Sequence, residues 1–247
     1  MIAPLLVLVV LIGGWELVVR ADMVNSLLLP APSAVATSLW EDRSILGPDL
    51  AVTTGEVVLG LGAALLLGVA LAVAMHLVPW IDQALRPLVV GSQAVPIPVL
   101  APLIVFVLGF GLAPKILIVA LICFFPIVVN VADGLTDSDP EARRLLRSLQ
   151  ASRWQRLRFL DAPSALPSGF TGMKIAASVA VIGAFLAETA GSTSGLGHLV
   201  VAANGQLESA RAFAASVLLI AEAVVLYVLF AALERRVVSW APRGVRS

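Results

Sequence analysis

Few residues of the chain are placed for catalysis. Gly191-Ser192-Thr193-Ser194-Gly195 approaches the G-x-S-x-G pattern of a nucleophile turn, but its central residue is Thr193. The only histidines are His76 and His198, and His198 follows this stretch in a glycine-rich connection. The chain also lacks a G-x-x-x-x-G-K-S/T loop, the device that cradles nucleotide phosphates. The sequence therefore argues against an intramembrane hydrolase and against ATP hydrolysis by this chain, and we expect no catalytic residue and no metal site.

Three glutamates fall inside apolar runs, where ionisable side chains are functional candidates. Glu56 lies near the outer end of its run, where an interfacial side chain reaching water is the plainer interpretation. Glu188 lies near the outer end of another run and either caps a solute pathway or makes a structural hydrogen bond. Glu222 falls near the middle of a run, where an unpaired charge is costly, so we expect it to be protonated or paired with Lys115 or Arg211. We predict that Glu188 and Glu222 line a pathway, with structural polar contacts as the alternative.

Neutral polar groups and prolines interrupt a further apolar run, residues 88–108. Gln93 and Pro96 lie within this run, and Asn130 lies at the end of the next one. Proline frees a carbonyl group, and broken backbone at membrane depth is tolerated where protein or a wet cavity covers it. We therefore predict that Gln93, Pro96 and Asn130 line the same pathway, with a kink needed only for packing as the alternative. No basic residue lies deep in a run, which leaves room for a neutral or aromatic solute.

The most polar part of the chain is an arginine-rich segment, residues 137–167, which carries six arginines between two apolar runs. Six arginines at mid-bilayer would cost on the order of 15 kcal/mol, so the segment lies outside the membrane, and its positive charge favours the cytosolic side. The pattern predicts two short helices, at residues 141–149 and 152–160, with Ser152 capping the second. Apolar residues amid the charges are typical of a loop that docks another protein, and a loop lying on lipid head groups is the alternative. These residues are Leu145, Leu149, Trp154, Leu157 and Leu160.

The composition is that of an integral membrane protein with almost no soluble part. Of the 247 residues, 60% are hydrophobic and 13% are charged, against about 25% charged residues in soluble domains. The formal net charge of zero gives no field that would attract nucleic acid. The single cysteine, Cys123, lies in an apolar run, where we expect a buried and inert thiol.

Six apolar runs are long enough to cross a bilayer, which takes about 20 residues. We expect an all-α membrane protein with a single transmembrane domain over residues 1–247, both termini in the cytosol, and a cytosolic loop at residues 134–168 between spans four and five. Between the spans we expect a polar connector at residues 21–50 with a short helix at 33–40, a link at 79–87 and an outer loop at 191–209. Basic residues up to Arg243 and Arg246 mark the cytosolic end. The predicted spans are residues 1–19, 52–78, 88–108, 115–133, 169–190 and 212–233.

Several short motifs follow one another between residue 29 and Trp240. They are Leu29-Pro30-Ala31-Pro32, Gly109-Phe110-Gly111, Phe124-Phe125-Pro126-Ile127, Asp139-Pro140-Glu141, Ala151-Ser152-Arg153-Trp154-Gln155, Pro163, Ala165-Leu166-Pro167 and Ser194-Gly195-Leu196-Gly197. The ordered set resembles the membrane subunit of bacterial ABC importers, in the nitrate/sulfonate/taurine-type permease family (binding-protein-dependent transport inner membrane components). Within this resemblance, the arginine-rich segment corresponds to the EAA loop, whose coupling helix docks the ATPase subunit.

The segment also departs from the family pattern. Arg144-Leu145-Leu146 stands at the Glu-Ala-Ala position, Gln150 replaces the turn glycine, and Ala162 replaces the leucine before the first loop proline. A glycine between two short helices often has a positive φ, where a Cβ costs about 1 kcal/mol or more. The segment either keeps this path at some strain or turns differently. A dedicated ATPase with a matching groove, or a second permease with the regular loop, would accommodate the difference.

The resemblance implies a non-catalytic permease subunit, a multi-pass protein of the bacterial cytoplasmic membrane that forms the pathway of an ATP-driven importer. Its implied partners are a second permease copy (usually a homodimer, otherwise a heterodimer), two ABC ATPase subunits that bind ATP and Mg, and an extracytoplasmic solute-binding protein. This chain itself would bind no cofactor. The implied ATPase contacts, with Trp154 and Leu157 as buried anchors, are Glu141, Arg147, Gln150, Ala151, Ser152, Arg153, Trp154, Gln155 and Leu157.

The resemblance does not fix the solute. Relatives of this kind carry nitrate, sulfonates, taurine, thiamine-precursor pyrimidines or riboflavin, and nothing in the sequence chooses among them. An ATP-independent secondary transporter or channel is the alternative function, although many such folds contain inverted repeats and none stands out here.

Overall fold

A computed structural model describes residues 2–240, including the side chains of residues 6–7 and 9–240. This part of the chain is built from eleven α-helices joined by short connections, one 3₁₀ turn and one π-helical turn. The helices are α1 (Ile2–Arg20), α2 (Pro32–Glu41), α3 (Arg43–Leu77), α4 (Pro79–Gly91), α5 (Ile97–Leu108), α6 (Leu112–Thr136), α7 (Pro140–Ser148), α8 (Arg153–Arg156), α9 (Ala162–Gly191), α10 (Leu196–Gly205) and α11 (Ser209–Val237). Residues 2–240 contain no β-strand, so the expected all-α fold is confirmed.

Four helical stretches in the described part are long and apolar enough to cross a membrane: α3, α6, the continuous stretch Arg153–Gly191, and α11. The α4 and α5 helices form a fifth candidate, a pair bent by 99°. The expected span at residues 1–19 coincides with α1, and part of it lies outside the described residues, as do Arg243 and Arg246. The count of six spans therefore stays a prediction.

The connections between the expected spans contain more helix than the sequence predicts. The helix expected at residues 33–40 is confirmed as α2, but α3 begins at Arg43 and takes up the end of the connector that was expected to reach residue 50. The link at 79–87 belongs to α4, and the outer loop at 191–209 contains α10. Proline at the first position of a helix loses no backbone hydrogen bond, so Pro32 and Pro79 start helices here rather than break them.

The third expected span, residues 88–108, is not a single helix. Helix α4 ends at Gly91, a 3₁₀ turn covers Ser92–Ala94, and α5 begins only at Ile97. Val95 is extended (φ −83°, ψ 118°), as a residue preceding a proline tends to be. The break expected from the prolines is confirmed, and the bent pair is either one broken span or a re-entrant loop, so a third span across the break stays a prediction.

The core is centred on α6, which packs between α3 and α9. These helices approach closely because small residues face one another. A Cβ at Gly60 would lie 2.5 Å from the Cβ of Val119, and a Cβ at Gly172 would lie 2.6 Å from the carbonyl oxygen of Pro126. Small residues at helix interfaces in membranes allow this backbone proximity. The fully buried alanines of α9 are Ala176, Ala177, Ala180, Ala184 and Ala187.

Gly60→Val should destabilise the fold because its side chain would overlap Val119 across the α3–α6 interface. Overpacking of this kind costs about 1–3 kcal/mol. Gly62→Val on the same helix is the matched control, since a Cβ there meets nothing within 4 Å. Thermal unfolding in detergent should give a lower Tm for Gly60→Val only, and equal Tm values for the two variants would contradict the close α3–α6 contact.

A polar clamp joins α2, α3 and α11 at Asp42, the residue that separates α2 from α3. Arg211 Nη2 donates to Asp42 Oδ1 at 2.9 Å, and Ser38 Oγ donates to Asp42 Oδ2 at 2.6 Å. The hydrogen bond from Arg211, followed by that from Ser38, holds the pKa of Asp42 below its ordinary value. The clamp thus contributes stability above the ordinary pKa of an aspartate and loses it as the pH falls through the lowered value.

Asp42→Asn should therefore lower the Tm at neutral pH and lose this effect on acidification. The Tm difference between the two proteins should begin to shrink below about pH 4, the ordinary pKa of an aspartate, and should fall further as the pH passes through the lowered pKa, because the wild-type carboxyl then becomes neutral as well. Asp137→Asn removes the same charge from an exposed side chain and serves as the control. A Tm difference at Asp42 that is independent of pH would refute the clamp.

Candidate coupling surface and outer polar cluster

The two short helices of the arginine-rich segment have well-formed N-termini. At the start of α7, Glu141 N donates to Asp139 Oδ1 at 2.9 Å. At the start of α8, Gln155 N donates to Ser152 Oγ at 3.2 Å, and Ser152 N donates to Gln155 Oε1 at 2.7 Å. This reciprocal pair is a capping box, so the predicted cap at Ser152 is confirmed.

The turn between α7 and α8 contains Gln150 with a φ of +56°. Ala151 N donates to Leu146 O at 2.9 Å and Gln150 N donates to Arg147 O at 3.0 Å, the pattern of a Schellman motif. Glycine is usual at this left-handed position because it carries no Cβ penalty. Of the two alternatives for Gln150, the segment takes the first: it keeps the left-handed turn and accepts the strain.

The second predicted helix, residues 152–160, is not a separate element. Helix α8 runs without a break through a π-helical turn, Leu157–Asp161, into α9. Leu157 is only 5% exposed and belongs to the main hydrophobic core. The expectation that Leu157 anchors a partner protein is therefore wrong, because its side chain is already buried inside this chain.

Four large apolar side chains remain exposed on the same segment: Phe159 in the π-helical turn, and three on or beside α7 and α8. Leu145, Leu149 and Trp154 each have more than 60% of their surface exposed, and we call these three residues the apolar tip. They stand among arginines on a stretch that is otherwise strongly polar. Exposed apolar groups rimmed by polar residues mark contact sites for other proteins.

Beneath the tip, an anchor cluster around Asp161 holds the segment to the helices. Asp161 Oδ1 accepts hydrogen bonds from Ser138 Oγ at 2.7 Å and from Arg143 Nη2 at 3.0 Å. His76 Nε2 lies 2.9 Å from Asp161 Oδ2. Arg153 Nη1 donates to Leu77 O at 2.9 Å, across 76 residues of sequence. The segment is therefore tied to the end of α3, to the connection after α6 and to the start of the α8–α9 stretch.

The other predicted ATPase contacts lie on the surface of this segment, with Ala151 half-buried. Three of them also serve the segment's own structure: Arg153 in the anchor cluster, and Ser152 and Gln155 in the capping box. The exposed members of the predicted set are Glu141, Arg147, Gln150, Ser152, Arg153, Trp154 and Gln155.

A second polar group, the outer polar cluster, lies at the other end of the helices. Lys115 Nζ donates to Glu56 Oε1 at 2.6 Å and to Ser192 Oγ at 2.7 Å. Glu56 is 1% exposed, so the expectation that it reaches water is wrong. Ser192 Oγ in turn donates to Ser194 O at 2.6 Å. The sequence does not reveal this ion pair, because Glu56 and Lys115 are 59 residues apart and no local pattern links them.

Glu188 fixes the glycine-rich loop beside this cluster. Its carboxylate accepts hydrogen bonds from Thr53 Oγ1 at 2.7 Å and from the backbone N–H of Gly197. Gly195 has a φ of +103°, and a Cβ there would lie 2.2 Å from Glu188 Oε1. The loop can therefore close over the carboxylate only with glycine at this position. These contacts favour the structural alternative for Glu188 over a pathway group.

Glu222 is buried, and neither of its carboxylate oxygens has a hydrogen-bond partner among residues 2–240. Lys115 is engaged by Glu56, and Arg211 by Asp42 and Glu208, so the expected pairing of Glu222 with either residue is wrong. A mid-helix carboxylate cannot be assigned a partner from sequence, because its neighbours come from other helices.

The remaining predicted pathway residues are dispersed. Gln93 and Pro96 are exposed on the break between α4 and α5, and Asn130 Nδ2 donates to Pro126 O within its own helix at 2.7 Å. No hydrogen bond joins any two members of the predicted set within the described part of the chain. A pathway lined by these residues stays a prediction. The set is Gln93, Pro96, Asn130, Glu188 and Glu222.

Comparison with known proteins identifies the family. The model of binding-protein-dependent transport system inner membrane components matches residues 64–239, a range that includes the arginine-rich segment. The chain belongs to this family. It is a permease component of an ABC importer and a multi-pass protein of the cytoplasmic membrane. This membership favours the importer over the ATP-independent transporter or channel.

Three relatives align with most of the length of this permease. A probable ABC transporter permease protein of Haemophilus influenzae is 34% identical over 227 residues, covering 92% of this chain and 93% of the relative. The riboflavin transport system permease protein RibX of Chloroflexus aurantiacus is 33% identical over 235 residues, covering 94% and 88%. The formylaminopyrimidine transport permease protein ThiX of Halalkalibacterium halodurans is 34% identical over 197 residues, covering 79% and 78%.

Lys115→Met should destabilise the permease because it leaves the Glu56 carboxylate buried and unpaired. Breaking one side of a buried ion pair costs about 3–5 kcal/mol, whereas replacing both sides with apolar residues is often nearly neutral. Chemical unfolding in detergent should therefore show a much smaller free energy of unfolding for Lys115→Met than for the wild type. In the double variant Glu56→Leu/Lys115→Met, the free energy of unfolding should return to near the wild-type value.

The control for this pair is Arg20→Met, which breaks the ion pair between Arg20 and Glu16. The Arg20 side chain is largely exposed, so the decrease in the free energy of unfolding should stay below about 1 kcal/mol. A Lys115→Met variant as stable as Arg20→Met would show that Glu56 is compensated in another way.

Proposed function

We propose that the permease couples solute uptake to ATP hydrolysis by docking an ABC ATPase through its apolar tip, Leu145, Leu149 and Trp154. The observation that carries the proposal is the exposure of these three side chains on a segment that the anchor cluster holds in place. A loop that only met solvent would need no apolar side chains at these positions. The polar contacts of the interface are assigned to exposed neighbours such as Glu141, Arg147 and Gln155.

The continuity of α8 with α9 supports a rigid-body mechanism. The stretch Arg153–Gly191 has 39 residues and, at about 1.5 Å per residue, spans roughly 58 Å. One end carries Trp154 of the tip, and the other end carries Glu188 under the glycine-rich loop. Closure of the ATPases would move the tip, and the helix would carry that movement to the outer side as a two-state rearrangement of packed helices.

The assembly that follows contains two permease copies, two ATPases and an extracytoplasmic solute-binding protein. We favour two identical permease copies; a heterodimer with a second permease is the other arrangement that would accommodate the Arg144 and Gln150 departures. ATP and Mg would bind to the ATPases, and the permease would bind no cofactor and catalyse no reaction.

The solute is proposed to be small, of the nitrate, sulfonate or taurine kind, or a pyrimidine or flavin compound. Two of the relatives are named for riboflavin and for formylaminopyrimidine transport, which supports testing heterocyclic solutes first. The binding protein delivers the solute, so its ligand preference should set specificity. A ligand screen on that protein, followed by uptake in reconstituted vesicles, identifies the solute.

Leu149→Asp and Trp154→Asp should each reduce co-purification of the ATPase at least tenfold, because each places a charge in an apolar contact. The measurement is affinity purification of the tagged permease from a strain that expresses the whole transporter, with quantification of the ATPase. Both substituted side chains are exposed, so membrane insertion and Tm should be unchanged.

Two controls accompany this test. Leu207→Asp changes an exposed leucine in the connection between α10 and α11, far along the chain from the tip, and should leave ATPase recovery unchanged. Gln150→Gly keeps the left-handed turn with a residue suited to it and should also retain the ATPase. Unchanged recovery in both tip variants, or no ATPase recovered with the wild type, would refute the docking role.

A further inference from the structure

A cavity of about 240 Å³ lies between the end of α3, the start of α4 and the arginine-rich segment. We call it the arginine cavity. None of the three residues of the apolar tip lines it, although Arg147, one of the proposed polar docking contacts, does. The residues that line it are His76, Leu77, Pro79, Arg143, Arg147, Arg153, Arg156 and Asp161.

The charges around this cavity are not balanced. Four arginines face a single carboxylate, Asp161, which is already engaged by Arg143 and His76. Arg147 and Arg156 make no ion pair or side-chain hydrogen bond with any residue between positions 2 and 240. In addition, the Nε atom of Arg143 is buried without a partner. Several guanidinium donors thus converge on one space with too few acceptors to satisfy them.

The spacing of the residues explains how one segment presents two surfaces. On α7, Arg143 and Arg147 are four residues apart and share one helix face, whereas Leu145 and Leu149 share another. On α8, Arg153 and Arg156 line the cavity, and Trp154 between them is exposed. The arginines therefore face the end of α3, and the apolar tip faces away from it.

The cavity lies at the end of a membrane span. Helix α3 is long and apolar enough to cross a membrane, and it ends at Leu77, a residue of the cavity wall. Trp80, three residues later, is highly exposed. Tryptophan is enriched at the level of lipid head groups, which places the cavity at that depth.

We propose that the arginine cavity binds a phosphate group, supplied by the head group of an anionic phospholipid in the adjacent leaflet. Guanidinium groups bind phosphate through paired N–H donors, and basic pockets on the cytosolic side of membrane proteins bind acidic lipid head groups. The depth of the cavity favours a lipid phosphate over a soluble one. The bound phosphate would neutralise Arg147 and Arg156 and help to hold α7 and α8 against α3.

The test compares two double variants of the purified permease. Arg147→Gln/Arg156→Gln removes the two cavity arginines that have no described partner and leaves the anchor cluster intact. Arg144→Gln/Arg158→Gln removes the same charge from two exposed arginines of the segment that do not line the cavity. The probes are phosphatidylglycerol, phosphatidylcholine and inorganic phosphate, and the readouts are lipid adducts in native mass spectrometry and the shift in Tm.

Phosphatidylglycerol should bind and stabilise the wild type and the Arg144/Arg158 control, and bind the Arg147/Arg156 variant at least tenfold more weakly. Phosphatidylcholine should give no such difference. A response to inorganic phosphate equal to that of phosphatidylglycerol would overturn the lipid as the source and assign the cavity to a soluble phosphate. If both double variants lost phosphatidylglycerol binding equally, the binding would depend only on the total positive charge of the segment, and the proposed site would be wrong.

Two further outcomes are distinguishable. If the Arg147/Arg156 variant keeps its lipid response but loses the ATPase, the cavity receives an acidic group of the partner protein and the lipid proposal is wrong. Arg147→Lys/Arg156→Lys keeps the charge without the planar donors and should retain part of the binding, which separates recognition from a folding defect. The lipid measurements use the permease alone, so they stand apart from the outcome for ATPase docking.

Discussion

The close packing of α3, α6 and α9 is the constraint on which the rest of the structure depends. Glycines and alanines bring these helices together, and the polar residues at both ends of the block come from the same three elements or their immediate continuations. At the outer end, Glu56, Lys115 and Glu188 stand on α3, α6 and α9. At the other end, His76 closes α3, and Asp161 leads into α9. The hydrogen bonds and ion pairs of each polar cluster form only while the block stays together.

This arrangement bears on how movement could pass through the permease. Polar side chains buried among membrane helices have no contact with water, so their ion pairs and hydrogen bonds must be made with other groups of the protein. The outer cluster and the anchor cluster make such contacts at the two ends of one packed block, which favours movement of the block as a unit. Helix α11 is different, since only 6% of its most apolar 18-residue stretch is buried within this chain. The surface it leaves open faces lipid or another subunit.

The features that the sequence predicted correctly are local ones. The cap at Ser152 and the break beside Pro96 depend on residues a few positions away, so the motifs suffice. At Gln150 the sequence leaves two alternatives, and the structure takes the left-handed turn. The errors concern the direction in which a side chain points or its partner in space. Leu157 has the periodicity of a contact residue, but whether it faces a partner or its own core is decided by the whole fold.

The same limit applies to the charged residues of the spans. The cost of an unpaired charge in the membrane predicts that Lys115 has a partner, but its two partners, Glu56 and Ser192, lie 59 and 77 residues away along the chain. The packing of glycines against α6, such as Gly60 and Gly183 against Val119, brings its backbone close to α3 and α9, and Lys115 reaches Glu56 and Ser192 from there. Backbone proximity thus comes first and the polar pairing follows from it. For that reason, small residues with no chemistry of their own decide where the ionisable residues of this permease can act.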